Sequence, residues 1–252
     1  MSALVVVPTY DEAEGIVPLL DAVLGAAGQV DILVVDDGSP DGTADLVRAH
    51  PCFGGRVRLL ERASKDGLGA AYRAGFSWAL EAGYDVVVQM DADFSHPPER
   101  VPALLRALDD ADVAVGSRYV AGGRIEDWAR SRRMISRVGN RYVRIVLGLG
   151  VHDATAGFKA FRRDALLQIA ATASESNGYC FQVENTWRAS RLGMRIVEVP
   201  ITFSERRTGV SKMSGAIVRE AMLRVLGWRW RELTQPRRDK ADADRAGGRV
   251  VA

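Results

Sequence analysis

The chain is poor in several things that would have classified it quickly. Among its 252 residues are two cysteines, Cys52 and Cys180, neither in a CxxC pair nor directly beside a histidine. So few thiols exclude a disulfide framework, and both are expected to be reduced and structural. No apolar stretch approaches the ~20 residues that a membrane-spanning helix needs. The amino terminus, MSALVVVPTYDE, has no basic n-region and meets acidic residues too early for a secretory signal. That predicts a cytoplasmic protein. Net charge is scarce as well, at +2, and no nucleic acid is expected as a partner. No internal repeat is visible.

What the chain does have is enough apolar sequence for one substantial core, with 47% hydrophobic residues. Its charge is unevenly spread. Acidic residues gather in the first half, while arginines crowd Arg118 to Arg144 and Arg206 to Arg238. Such asymmetry points to a local anionic partner.

Short β-branched runs at Leu4 to Val7, Ile32 to Val35, Val86 to Met90 and Val113 to Val115 read as strands buried on both faces. Helical spacing marks Glu12 to Ala27, Gly42 to Ala49, Ala70 to Ala82 and Pro98 to Leu108 between them. This alternation predicts an α/β fold, a mostly parallel sheet with helices on both faces. Beyond Ala121 come a basic helix at Arg130 to Arg144, a segment Asp153 to Arg162 that packs back on the sheet, a helix at Asn177 to Leu192 and a strand at Arg195 to Phe203. The polar sequence after Pro236 reads as a disordered tail.

Ligands of parallel sheets sit at the carboxyl ends of the strands, and there the chain places PTYDE at 8 to 12, DDGS at 36 to 39 and DAD at 91 to 93. Asp91 and Asp93 are the most informative pair. Carboxylates at i and i+2 leaving a strand share a side, and two converging anions invite Mg²⁺ or Mn²⁺, which are commonly shared with substrate phosphates. A solvated turn would carry the same triplet. Asp37 is placed to accept hydrogen bonds from a base or ribose, whereas Asp41 is as well suited to cap the following helix.

Taken together, VVVPTYDEAEGI, VVDDGSPDGT, KDGLGAAYRAG, MDADFSHPPE, VGSRY, DATAGFKAFRR, GYCFQVE and ERRTGVSK resemble, in order, the motifs of family 2 glycosyltransferases of GT-A fold, specifically the dolichyl-phosphate and polyprenyl-phosphate mannosyltransferases. The resemblance spans about residues 3 to 215. It implies that Pro8, Tyr10, Glu12, Val35 and Asp37 hold the guanosine of GDP-mannose, and that Asp91, Ala92 and Asp93 meet the sugar diphosphate. Asp91, Asp93 and Ser95 are the implied metal ligands, with Ser95 standing where some relatives have Gln. His96, followed by two prolines, reads as a residue that orients this loop. Arg118 is implied at the pyrophosphate or acceptor phosphate, with Arg206 and Lys212 closing over it. Arg132, Arg133 and Ser136 lie in the RRxxSRxxN pattern near a lipid phosphate, and Glu184 orients a sugar hydroxyl or pairs with an arginine. A solvated basic loop or helix face is the plain alternative for these cations.

The implied reaction is inverting transfer of mannose from GDP-mannose to a polyprenyl phosphate, with Asp93, Arg118, Arg206 and Lys212 as its working groups. Such an acceptor lives in a bilayer. Ser214 to Leu233 repeats apolar residues at helical spacing beside arginines, with Trp228 and Trp230 suited to the headgroup region. This segment either lies on the cytoplasmic face of a membrane or docks its apolar stripe on the domain, and a membrane-spanning partner protein could help recruit it. The expected units are a catalytic domain at 1–213, an amphipathic helix at 214–234 and the tail at 235–252. Competing readings are a UDP-glucose-dependent enzyme of the same fold and a non-catalytic membrane-associated nucleotide-binding protein. A nucleotide-sugar pyrophosphorylase is disfavoured by the absence of a GxGxR loop near the first strand.

Overall fold

The computed structural model describes residues 1–171, 176, 179–205 and 215–234. Arg206, Lys212 and the tail at 235–252 lie outside them. The expected strands form at β1 (Ala3–Thr9), β2 (Val30–Asp36), β4 (Val86–Gln89) and β5 (Val113–Ser117), with β3 (Val57–Glu61) added between the second and fourth. Helices α1 (Ile16–Ala26), α2 (Thr43–Arg48), α3 (Leu68–Glu81) and α4 (Val101–Ala107) connect them. Each is shorter than, or displaced by a turn or less from, the span its periodicity predicts.

The later elements complete the sheet from the other side. Strand β7 (Lys159–Arg162) runs antiparallel between β4 and β5, and β8 (Ile196–Pro200) pairs parallel with β5. The seven-stranded order is β3-β2-β1-β4-β7-β5-β8, and short β6 (Arg124–Ile125) pairs with β9 (Thr202–Phe203). Asp153 to Arg162 therefore returns to the sheet, as expected, and its end becomes a strand. The strand expected over Arg195 to Phe203 is split at Ile201 into β8 and β9.

Alternation along the strands sorts their side chains into two layers. Val5, Val7, Ile32, Val34 and Val88 pack with Leu19, Leu20 and Leu104 of α1 and α4. On the opposite face, Leu4, Val6, Leu33, Val35 and Val87 pack with Tyr72 and Phe76 of α3 and with α6 (Arg163–Ala171) and α7 (Tyr179–Arg191). From β1 the chain moves outward through β2 and β3, then crosses to β4 on the other flank of β1. This reversal opens a crevice at the carboxyl ends of β1 and β4, where parallel sheets bind ligands.

A third core joins α5 (Arg130–Leu147), α7 and α8 (Gly215–Thr234) through Val143, Leu147, Val183, Val225 and Trp228. Trp228 is 5% exposed and stacks on Trp187 at 5.5 Å, whereas Trp230 is 69% exposed. The expectation that both tryptophans suit a headgroup region is thus corrected for Trp228, which is a core residue because its side of α8 meets α7. No helix of the described residues is long and apolar enough to cross a membrane.

Candidate active site

At the carboxyl ends of β1 and β2 the two loops are tied together by polar side chains. Thr9 donates its hydroxyl to Asp36 Oδ2 at 2.8 Å, and the Ser39 amide and hydroxyl donate to the same carboxylate at 2.8 and 2.6 Å. Asp41 accepts from the amides of Thr43 and Ala13 at 3.0 and 2.9 Å, which ties the first residue of α2 to the turn before α1, while the N-cap position itself falls to Gly42. These carboxylates build the loops.

The residues expected at the nucleotide divide by exposure. Pro8 and Val35 are buried within the strands, and Val35 faces Gly75 of α3, so their side chains are not what the crevice presents. Tyr10 lies on the rim with the Lys65 ammonium 3.1 Å from its ring centre, a cation–π contact. The carbonyl of Glu12 accepts from Ile16 at 2.9 Å and starts α1. Asp37 is 6% exposed and accepts from Arg62 Nη1 at 2.6 Å. Burial raises its pKa more than the neighbouring guanidinium lowers it.

Asp91, Ala92 and Asp93 follow β4 into this crevice. The Tyr72 hydroxyl donates to Asp91 Oδ1 at 2.6 Å, the Asp91 amide donates to His96 Nδ1 at 3.0 Å, and the Ser95 amide donates to Asp93 Oδ1 at 3.0 Å. Burial, then the charges of Asp91 and Asp93, raise the Tyr72 pKa well above its ordinary value. The His96 pKa is lowered by burial, against the pull of the same two carboxylates. Both anions therefore act on one small volume. His96 stacks on Phe158 at 5.2 Å, and Phe94 adopts φ 59°, where non-glycine residues are uncommon. The loop is held rather than free.

Among the described residues, no three His, Cys, Asp or Glu side chains converge to cage a metal. Two carboxylates with hard oxygen donors nevertheless fit Mg²⁺ or Mn²⁺, which keep waters and take substrate phosphates as further ligands. Asp91 and Asp93 would hold such an ion. The Ser95 side chain is buried beside them, and its backbone amide is what bonds Asp93.

Arg118 follows β5, 9% exposed, and has a buried counter-ion besides the phosphate contact expected of it. Its Nε and Nη2 donate to the two oxygens of Asp153, both at 2.7 Å, and Nη2 reaches Thr155 at 2.9 Å. Burial opposes ionisation of Asp153, but the Arg118 guanidinium holds its pKa below the ordinary carboxylate value. This bidentate pair fixes the arginine, and among the described residues Nη1 takes part in none of its bonds. Arg118 and Arg133 do line one small cavity of about 140 Å³, with Arg124 and Arg137. Arg133 donates to the Trp128 carbonyl at 2.9 Å while its Nε is buried without a partner, and the Ser136 hydroxyl accepts from Tyr119 at 2.7 Å. Arg132 instead pairs with Glu205 at 2.8 Å, lying over Trp128. Glu184 is buried and paired with Arg188.

Sequence reasoning passed over three groups. Tyr72 orients Asp91, and Asp153 orients Arg118. Lys159 is fully buried, its Nζ donating to the Gln182 carbonyl at 2.6 Å, and desolvation lowers its pKa to about 7. Asp153 and Lys159 both lie in the DATAGFKAFR segment, whose alternation of small and polar residues carried no sign of which would be buried.

Residues 4–169 match glycosyl transferase family 2. The chain is 53% identical over 230 residues to polyprenol monophosphomannose synthase of Mycolicibacterium smegmatis, covering 89% of this chain and 86% of that protein. It is 52% identical over 237 residues to undecaprenyl-phosphate mannosyltransferase of Micrococcus luteus, covering 92% and 98%. In fold it is similar to Mycobacterium tuberculosis glucosyl-3-phosphoglycerate synthase, solved with Mn²⁺, uridine-diphosphate and glucosyl-3-phosphoglycerate, with a TM-score of 0.68 at 21% identity over 90% of this chain and 79% of that one. A Pyrobaculum calidifontis mannosyltransferase solved with GDP-Man and Mn²⁺ gives a TM-score of 0.60 at 20% identity, over 94% and 65%. With a GT-A-like fold, a family match over most of its length and relatives above half identity, the chain belongs to glycosyl transferase family 2.

Proposed function

We propose that this protein transfers mannose from GDP-mannose to a polyprenyl monophosphate with inversion at the anomeric carbon, working against a membrane surface. One observation carries the reading. Across about nine-tenths of its length the chain is more than half identical to two proteins named for joining mannose to a polyprenyl phosphate. The acidic crevice and the arginine-lined cavity supply the two kinds of phosphate contact that such a reaction needs.

In this reading the nucleotide lies across the ends of β1 and β2, with Tyr10 and Asp37 at its base and ribose. Asp91 and Asp93, oriented by Tyr72, His96 and Ser95, hold the cation. When bound, Mg²⁺ or Mn²⁺ would neutralise charge growing on the departing diphosphate. Arg118, kept charged and immobile by Asp153, and Arg133 bind the acceptor phosphate, with Ser136 and Tyr119 beside them. A phosphate monoester, with a second pKa near ~6, is already largely dianionic at neutral pH. No protein base is therefore needed, and none is assigned. The arginines align one phosphate oxygen for attack on the anomeric carbon as the bond to the nucleotide breaks. Arg206 and Lys212 are proposed to close over the departing group, and a catalytic unit at 1–213 followed by an interfacial helix at 214–234 completes the scheme.

Supplying labelled GDP-mannose or UDP-glucose with polyprenyl phosphate and either metal tests this directly. The expected result is a lipid-linked β-mannosyl phosphate from GDP-mannose alone, lost on chelation. Transfer from UDP-glucose in its place would overturn the donor assignment, and no transfer from either would overturn the activity.

A further inference from the structure

Beside the small cavity lies a larger groove whose wall beyond Arg118 the reaction above leaves unused. It has a volume of about 620 Å³ and lies between α5 and the loops after β5 and α5, lined by Arg137, Arg141, Arg144, Asn140, Ile145 and His152 among others. Among the described residues no carboxylate lines it. His152 is held by Glu198 at 2.9 Å and Arg118, on the wall, is neutralised by Asp153. Arg137, Arg141 and Arg144, by contrast, have no ion pair among the described residues, and the Arg144 Nε is buried without a hydrogen-bond partner. Arginines spaced by four and three residues on one helix repel one another. Such a cluster is relieved by an anion.

The surroundings identify the anion's class. Met134, Ile135, Val138 and Ile145 of α5 are all more than half exposed. Helix α8, bound to α5 through the Tyr142 hydroxyl and the Met222 carbonyl at 3.0 Å, exposes Leu223, Leu226, Trp230 and Leu233. Large apolar side chains beside uncompensated arginines suit the boundary between acyl chains and anionic headgroups.

We infer that the Arg137, Arg141 and Arg144 groove is a second phosphate site, which binds the headgroup phosphate of an anionic phospholipid and seats the exposed faces of α5 and α8 in a bilayer. It adjoins the acceptor site, with Arg118 and Arg137 on the shared wall, but Arg141 and Arg144 line this groove alone, and it does not depend on which sugar is transferred. The guanidinium forks of Arg141 and Arg144 grip the phosphate oxygens. Ionic strength weakens the attachment.

The test compares full-length wild type with Arg141→Gln/Arg144→Gln in sedimentation with phosphatidylcholine vesicles, with or without phosphatidylglycerol. Wild type should prefer the phosphatidylglycerol vesicles, and the double variant should lose about 30-fold in partitioning, as expected for two surface arginines. Inorganic phosphate should displace wild type more than chloride of equal ionic strength. Arg141→Lys/Arg144→Lys, which keeps the charge and loses the forks, should bind between wild type and the Gln variant, while Arg141→Glu, altering one exposed side chain, should lose binding with an unchanged circular dichroism spectrum. Transfer to a short-chain, water-soluble phosphate acceptor should match wild type in the double variant. Equal partitioning of the Gln and Glu variants with wild type, or no preference for phosphatidylglycerol, overturns the inference. So does phosphate binding without vesicle attachment, which would make the ligand a soluble anion, or a parallel loss of soluble-acceptor transfer, which would assign the groove to the acceptor. A wild type that seats on vesicles but transfers no mannose instead overturns the function proposed above and leaves this site standing.

Discussion

The crevice at β1, β2 and β4 and the face built by α5 handle charge in opposite ways. In the crevice, negative side chains are dense but spoken for: Asp36, Asp41, Asp91 and Asp93 each accept hydrogen bonds from nearby backbone or hydroxyl groups. On α5, Arg137, Arg141 and Arg144 are left without counter-charges among the described residues. An acidic edge can approach a diphosphate only with a cation between them, whereas arginines bind a phosphate directly. The contrast teaches that the two regions are expected to differ in metal dependence, a nucleotide in the crevice being sensitive and a headgroup phosphate on α5 indifferent.

The sharpest way to break that contrast is Asp93→Asn. Transfer should fall by on the order of 10²–10³-fold, the scale of losing one preorganised electrostatic group, with the melting temperature unchanged. A variant that retains full activity would remove the acidic edge from the reaction. Next in size is Asp153→Asn, which leaves Arg118 buried without its counter-charge. Urea unfolding should register a loss of roughly 3–5 kcal/mol, as for other broken buried pairs. The Asp153 pKa is depressed in the folded state, so its contribution is present above the ordinary carboxylate value and fades as pH falls through the lower folded one.

Gly157→Ala probes how tightly the acidic loop is built. An added Cβ would sit 3.0 Å from His96 Cε1 and 3.3 Å from Asp91 Oδ2. Overpacking here should cost about 1–3 kcal/mol of stability and weaken metal-dependent nucleotide binding, measured by unfolding and calorimetry on the same preparation. The smallest change within any one pH unit concerns Lys159, whose pKa falls from 10.5 to about 7 on burial. Between those values the unfolded chain holds more protons, so wild-type stability should rise with pH by up to roughly 1.4 kcal/mol per unit. Lys159→Met should abolish that slope, and an unaltered slope would show that Lys159 is not its source.

The parallel half was legible because strands buried on both faces are nearly uninterrupted Val, Ile and Leu, as in VVV at 5 to 7 and at 86 to 88. The strand β3 was not. Its VRLLE carries charges on a partly exposed sheet edge, so no apolar run betrayed it. Helix α6 went unread as well, since RDALLQIAA adjoins β7 without a turn signal. At the site, DAD was visible as a spacing, but Tyr72 on α3 and Asp153 before β7 reach their partners across 19 and 35 residues of chain. Such contacts depend on tertiary packing, which local pattern does not encode. The partner of Arg118 was hidden for that reason: its type and place suggested a phosphate, while its buried counter-ion, Asp153, was far along the chain.

Calorimetric titration of GDP, with and without Mn²⁺, into wild type and Asp93→Ala tests the acidic crevice most directly. Mn²⁺ should tighten GDP binding to wild type by at least about tenfold, or ~1.4 kcal/mol, and leave the variant's affinity unaltered. Equal GDP affinity in all four titrations would contradict a cation held by Asp91 and Asp93 at the ends of the central strands.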